Sequence, residues 1–398
     1  MWNGTSEVDT WFKTQAVSMI FFPCVYELEA PRIASNMILP TLASGILKGL
    51  SAIAFLSIWG VMVTNGTLTA LLYTAWSGTF PDGTVLKTSY TGIWPLDFPV
   101  RVLVVFFFGL QSMEDLTPFL MLVDLVAALL VINMMTVVES RRFTTSKWLK
   151  SSLLWQYLWN CAGVALILPI YSRLHLEQHY GSLLVPRIPI REAQALPFTA
   201  IVTLLLPIPL LAPGLSNADP LYIQYGCMFY LLTPAIGVIF QSLASIFISK
   251  TASPSKWFTR PVKTAYLITG TASALTHLGV LSCVLFSETS DLAIISMYLP
   301  NHNIVEREKD NILTTGALLF FQWDYIITNL VVIAHGAYLL HHATSYTHGH
   351  TYRFQRLLVE LVALVIVLGP GAGLAFVLVG EEDRAEIRLM ARGGRPYA

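Results

Sequence analysis

Apolar positions along this chain cluster into long uninterrupted runs, and the polar positions gather in short strings between them. The runs 117–138, 151–171, 222–248, 264–286, 313–340 and 357–379 are each bounded by charge or turn residues. About 20 apolar residues in a helix cross the roughly 30 Å of bilayer hydrocarbon, so each run predicts a membrane-spanning helix. Between 37 and 76 the run is divided by Lys48, which predicts one crossing, placed either over 37–63 or over 50–75. Two further stretches are irregular: 98–112 is short for a span, and 196–213 carries Pro197, Pro207, Pro209 and Pro213, which break or kink a helix. Either could be re-entrant. Non-helical backbone at membrane depth persists only where protein or a watery cavity covers it, so a broken segment there would itself point to a cavity. The pattern therefore predicts an all-α polytopic integral membrane bundle of eight or nine helices. It forms one domain over 1–398, with an N-terminal segment 1–36 and a polar C-terminal tail 380–398.

Composition strengthens the membrane reading: 55% of the 398 residues are hydrophobic and 12% charged, about half the charged share of a soluble domain. The lipid bilayer is the expected surrounding and the endoplasmic reticulum membrane the expected location. With 24 basic and 24 acidic residues the net charge is zero, which offers no basic field for nucleic acid. Cys24, Cys161, Cys227 and Cys283 show no CxxC spacing, and no disulfide framework is expected. The N-terminus lacks a basic stretch followed by an apolar one, so an internal helix is expected to direct insertion rather than a cleaved signal. The sequons at Asn3 and Asn65 would face opposite sides if one helix separates them.

Ionisable groups inside spans are costly unless partnered, which makes them the first places to look for chemistry. Asp324 lies mid-run in LLFFQWDYIITNLVVIAHG, after Gln322 and Trp323. At helical spacing Phe320, Phe321, Thr328 and, eleven residues on, His335 share its face. A carboxyl among aromatic rings could act as a general acid, provided it holds a proton beforehand; an interhelical hydrogen bond is the structural alternative. Asp124 is the second intramembrane acid. It could orient Asp324, act itself, or pair with Lys48 or Arg101. Glu139 and Arg141, in VVESRR, read as an interfacial ion pair. WQYLWN puts Gln156 and Asn160 on one helix face and Trp155 and Trp159 on the next, as helix-joining groups or as a substrate wall. His341, His342, His348 and His350 lie close together without an acidic residue, a weak metal pattern, and His277 stands alone in its run.

Several strings resemble the fungal integral membrane terpene cyclases of meroterpenoid pathways, the large-type group that includes the ascofuranone and macrophorin cyclases. They are FFF at 106–108 followed by acid and Pro118, VVESRR, WQYLWNCAGVALILPIYSRLHL, ALPFTAIVTLLLP and FFQWDYI, collinear over about half the chain. In FGLQSMEDLTPFL the chain departs from that pattern, with Glu114 and Asp115 where a small acid–glycine turn is expected. The resemblance implies that a prenylated, often farnesylated, lipid is cyclised by protonating an olefin or an epoxide, without metal or other cofactor. It carries Asp324 and Glu139 over as matching acids and His175, near Tyr171, as a polar position at a helix mouth. The candidate catalytic set is Asp324, Asp124 and Glu139. The candidate substrate contacts are Phe320, Phe321, Gln322, Trp323, Gln156, Asn160, Trp159, His175 and His335. A carbocation kept from water by aromatic faces suits a chain that is 12% aromatic.

Other classes leave different marks. A diphosphate-using membrane prenyltransferase needs aspartate-rich motifs to hold magnesium, and NDxxD and DDxxD are both absent. A membrane acyltransferase would use an intramembrane histidine such as His335 or His277. A transporter would use Asp124, Asp324 and His335 as an ion path, with paired broken helices that this sequence does not repeat.

Overall fold

The first helix, α1 (Ile38–Ala54), continues through a π-helical turn, Phe55–Gly60, into α2 (Val61–Thr64), and α3 (Thr67–Ser77) follows a turn at Gly66. The computed structural model describes residues 38–111, 115–143, 145–181, 188–215, 218–248, 260–287, 293–344 and 350–391. The remaining helices are α4 (Trp94–Phe108), α5 (Leu116–Ser140), α6 (Ser152–Ala162), α7 (Val164–Gly181), α8 (Ile190–Leu205), α9 (Ile208–Leu215) and α10 (Pro220–Phe247). They are followed by α11 (Pro261–Leu285), two short helices α12 (Ile294–Tyr298) and α13 (His302–Arg307), α14 (Ile312–Thr344) and α15 (His350–Ala391). The segment 1–36, with Asn3 and Cys24, lies outside the described residues, as do Glu114 and His348.

Among the described residues seven helices are long and apolar enough to cross a membrane: Leu42–Thr64, Leu116–Ser140, Ile190–Pro213, Pro220–Phe247, Pro261–Leu285, Lys309–His342 and Tyr352–Arg384. The bundle is thus all-α and polytopic as expected, but the number is seven rather than eight or nine. Two departures explain the difference. The run 151–171 is not one helix: it breaks at Gly163 into the 11-residue α6 and the 18-residue α7, whose second half is the polar string RLHLEQHY. Helix α4 has 15 residues, roughly 22 Å at 1.5 Å per residue, short of the hydrocarbon thickness. The proline-rich run 196–213 belongs to one of these seven, Ile190–Pro213, as α8 and α9 joined by a bend at Leu206 and Pro207. Lys48 lies within the first span, on an exposed face. The expected polar tail begins as a continuation of α15 to Ala391, because its carboxylates find cationic partners against the bundle, Glu382 on Arg142 among them.

Helix α5 is the axis of the bundle. Of its most apolar stretch 89% is buried inside the protein, against 22% for Leu42–Thr64. It packs on α11, α15, α14 and α6, while α14 also joins α15, α7 and α1. The outer faces stay apolar, with Ile46, Ile53 and Leu56, then Leu243 and Ile246, then Ile366 and Val367 all exposed. Continuous apolar exterior of that kind is what hydrocarbon solvates. In lipid, helices associate through close packing and hydrogen bonds rather than the hydrophobic effect. At Gly270 of α11 an added β-carbon would lie 2.5 Å from that of Ala375, so only glycine lets α11 and α15 approach this closely.

Candidate active site

The break at Gly163 creates an acid's binding seat. Gly163 caps α6 at φ 92°, ψ 139°, backbone that a side-chain-bearing residue rarely adopts. Helix α7 then starts at Val164, and the first amides of any helix have no acceptor within it. Asp324 of α14 supplies one: Oδ1 accepts from the Ala165 N–H at 2.5 Å and Oδ2 from the Val164 N–H at 3.3 Å. On the other side of the break Trp59 Nε1 donates to the last carbonyl of α6, Ala162, at 2.9 Å. The π-helical turn carries Trp59 there, a local irregularity of the sort that concentrates at functional sites.

Asp324 lines a cavity formed between the helices. Aromatic rings dominate its wall: Trp59, Phe106, Phe107, Trp159, Tyr230 and the pair Phe320–Phe321, with Leu125, Val126 and Leu129 of α5 opposite. The Phe106 ring meets Phe320 edge-on at 5.0 Å and stacks on Phe321 at 5.5 Å, and Trp59 meets Phe320 edge-on at 6.2 Å. Interlocked rings of this kind hold fixed orientations and present π faces that attract a cation. Asp324 is the sole carboxyl among the described residues lining the cavity.

Of the expected site residues, Phe320, Phe321, Trp159 and Asn160 do line this cavity with Asp324. The others go elsewhere. Asp124 neither orients Asp324 nor pairs with Lys48 or Arg101: both its oxygens lie 2.9 Å from His277 Nδ1, and the Tyr298 hydroxyl donates to Oδ2 at 2.7 Å. The Tyr325 hydroxyl is 3.2 Å from the same histidine nitrogen. Burial, with the Asp124 carboxylate beside it, pushes the Tyr298 phenol far above its ordinary range and keeps it a donor. His277, the lone histidine of its apolar run, packs against α15, where the kink at Gly369, φ 85°, makes room for its ring.

Glu139 forms a third polar group. Its partner is Arg142 at 2.8 Å rather than Arg141, which pairs with Glu192 at 3.4 Å. Arg142 also holds Glu382, and His175 Nε2 lies 3.6 Å from Glu139. Burial opposes the Arg142 charge, but the Glu139 and Glu382 carboxylates outweigh it and hold the guanidinium protonated. His335 is drawn into the same group, 3.1 Å from His175, and so is not a partner of Asp324. Gln322 anchors the Ser296 and Met297 carbonyls at 2.7 and 3.2 Å, and Trp323 stacks toward His302; neither reaches the cavity. Gln156 donates to Ser152 and Thr136 at 2.9 and 3.0 Å, joining α6 to α5.

Trp59, Phe107, Tyr230 and Gly163 escape a reading of the sequence. The first three are aromatic residues in apolar runs, with nothing local to say which face turns inward. Gly163 carries a faint signal, a lone glycine inside a helical pattern.

A family model described as the CtvD domain matches residues 43–385. Among curated proteins the chain is similar to Terpene cyclase DEP1 of Fusarium langsethiae, 28% identical over 84% of this chain and 97% of the relative. It is likewise similar to Terpene cyclase DEP1 of Alternaria brassicicola, 26% identical over 84% and 97%. Terpene cyclase alnG of Emericella nidulans is 25% identical over 82% and 90%. No solved structure matches the chain.

Proposed function

Since the chain belongs to the CtvD domain family, we propose that it is a membrane terpene cyclase of fungal secondary metabolism, acting on the prenyl chain of a meroterpenoid intermediate. The observation that carries this reading is the single carboxyl, Asp324, presented to an aromatic cavity from a fixed seat. The names of the three relatives support the reaction class. A farnesylated substrate suits an apolar, ring-lined cavity, and the endoplasmic reticulum is the proposed membrane.

Asp324 is assigned as the proton donor. Its O–H bond breaks as a C–H bond forms on a terminal olefin, or as an O–H bond forms and a C–O bond opens on an epoxide. The amides of Val164 and Ala165, at the positive end of α7, match the carboxylate that remains. The carbocation is attacked by an internal double bond or hydroxyl while Phe320, Phe321, Phe106 and Trp159 turn π density toward it and exclude water. Loss of a proton from carbon or oxygen ends the sequence as a net isomerisation. A magnesium-held diphosphate would ask for several convergent carboxylates, whereas the donor set here is one acid among rings, which favours metal-independent initiation. Asp124 and Glu139 are assigned to holding helices together.

The test uses the protein in nanodiscs with a farnesylated phenol and its terminal epoxide. Wild type should yield a product of unchanged mass. Asp324→Asn, with thermal unfolding within a few degrees of wild type, should lose about 10²-fold or more in turnover. Near-normal turnover in that variant removes Asp324 from the chemistry.

A further inference from the structure

Next to the aromatic cavity lies a second, smaller one with a different chemistry. The two share Val126, Leu129 and Tyr230, which border both. Among the mostly apolar residues that line the second cavity are the side-chain amides of Asn133 and Gln156 and the hydroxyls of Thr203 and Thr233, from α5, α6, α8 and α10, and no described lining residue is charged. It also receives the bend at Leu206 and Pro207. Pro207 has no N–H, so the helix bond that the Thr203 carbonyl would accept cannot form, and irregular backbone at this depth requires a cavity or protein beside it.

Two hydrogen-bonding groups are left over. Asn133 Oδ1 accepts from Trp159 Nε1 at 3.2 Å, which fixes the amide orientation and leaves Nδ2 with no acceptor among the described residues. Gln156 Nε2 is held by Ser152, Thr136 and the Asn133 carbonyl, which leaves Oε1 with no donor among them. One donor and one acceptor thus belong to residues that border a chamber without charge, where a small polar group or water can meet them.

We propose that this second cavity binds the uncharged, oxygen-bearing head of the substrate, with a hydroxyl on Gln156 Oε1 and a carbonyl on Asn133 Nδ2. The prenyl chain then passes Val126, Leu129 and Tyr230 to bring its far end to Asp324. This deepens the cyclase reading and rests on it. The lining excludes an ionised head, because a carboxylate would be desolvated there with no cation to meet it.

Gly237 provides the test. It lines the second cavity and not the first, and a β-carbon there would meet only Leu206 Cδ1, at 3.8 Å. Leucine also favours helix over glycine, so Gly237→Leu should fold while filling the chamber. Equilibrium binding to the full chain in nanodiscs is measured with three probes: a farnesylated hydroxybenzaldehyde, its ring-carboxylate analogue, and headless farnesyl methyl ether. Gly237→Leu should weaken the aldehyde about tenfold and leave the methyl ether within about twofold. Asn133→Leu should shift the aldehyde in the same direction. Wild type should bind the carboxylate about tenfold more weakly than the aldehyde. Equal weakening of aldehyde and methyl ether, or no change in either, overturns the head-group site. Because binding requires no turnover, this pattern without any product would sink the cyclase reading alone, and normal product with unaltered binding in Gly237→Leu would sink the head-group site alone.

Discussion

A β-carbon placed on Gly163 would lie 3.4 Å from Asp324 Oδ1 and 3.1 Å from Phe320 Cζ. The glycine therefore does two things at once: it ends α6 in backbone that other residues avoid, and it leaves the space in which the acid reaches the amides of α7. Gly163→Ala should cost about 1–3 kcal/mol from backbone strain and displace the carboxylate from its seat. Thermal unfolding and turnover should both fall, turnover by about tenfold or more, since small misplacements of a reacting group are expensive. An alanine variant with wild-type melting and rate would separate the break from the chemistry.

Asp124 and His277 form a buried pair, 4% and 1% exposed at the histidine and the acid. Removing one partner of such a pair strands the other, whereas replacing both with apolar residues is often close to neutral. Asp124→Leu alone should destabilise by roughly 2–4 kcal/mol, and the double variant Asp124→Leu/His277→Phe should recover much of that. Chemical denaturation in detergent reads the cycle. Turnover per folded molecule should stay within about threefold in the double variant; a loss on the scale of Asp324→Asn would mean the pair takes part in the reaction.

Arg142 neutralises two carboxylates, Glu139 and Glu382. Arg142→Met should cost about 3–5 kcal/mol because it leaves both acids buried and facing one another, and Glu382→Gln should cost less. Glu139→Gln should lower the melting temperature while retaining the rate. Loss of rate with an unchanged melt in Glu139→Gln would return this residue to the catalytic set.

Asp97 sits near the start of α4, outside the seven spans, and gathers the amides of Tyr90, Thr91 and Gly92 together with the Thr91 hydroxyl, at 2.7 to 3.2 Å. Burial works against its charge, but these hydrogen bonds outweigh it and hold the carboxyl below the usual range. A folded-state value below the unfolded one gives stability that is present above the unfolded pKa, about 3.9, and lost as pH falls through the folded value. Wild type should therefore melt above Asp97→Asn at pH 7, and the gap should begin to shrink as the pH drops below about 4 and close as it falls through the folded value. A gap that is constant over pH 3 to 7 would show that the carboxylate charge is not what closes this loop.

How much of this the sequence shows depends on the range over which the relevant physics acts. Transfer into lipid is summed over a local window, so the runs at 117–138, 222–248, 264–286 and 313–340 reappear as helices with small shifts at their ends, and 357–379 lies inside the longer helix His350–Ala391. The cost of an intramembrane carboxyl is likewise local, and Asp324 among Phe320 and Phe321 is legible from three adjacent residues. The break expected in the run 196–213 appears as the bend at Leu206 and Pro207, because a missing N–H is a covalent property of proline.

Pairing across the chain is not local. Asp324 meets Val164 and Ala165 from about 160 positions away, Asp124 meets His277 from 153, and Arg142 meets Glu382 from 240. Hydropathy was also blind to the break at Gly163, since a glycine between apolar neighbours barely lowers a window average, while its positive φ is adopted only because Trp59, Phe320 and Asp324 pack around it. Sequence alone determined that this is a bundle of membrane helices with one acid set among aromatic rings. Tertiary structure decided which faces turn inward, which acids are tied to partners, and that the Asp324 carboxyl lines a ring-walled cavity, because those outcomes depend on contacts between helices that no single helix encodes.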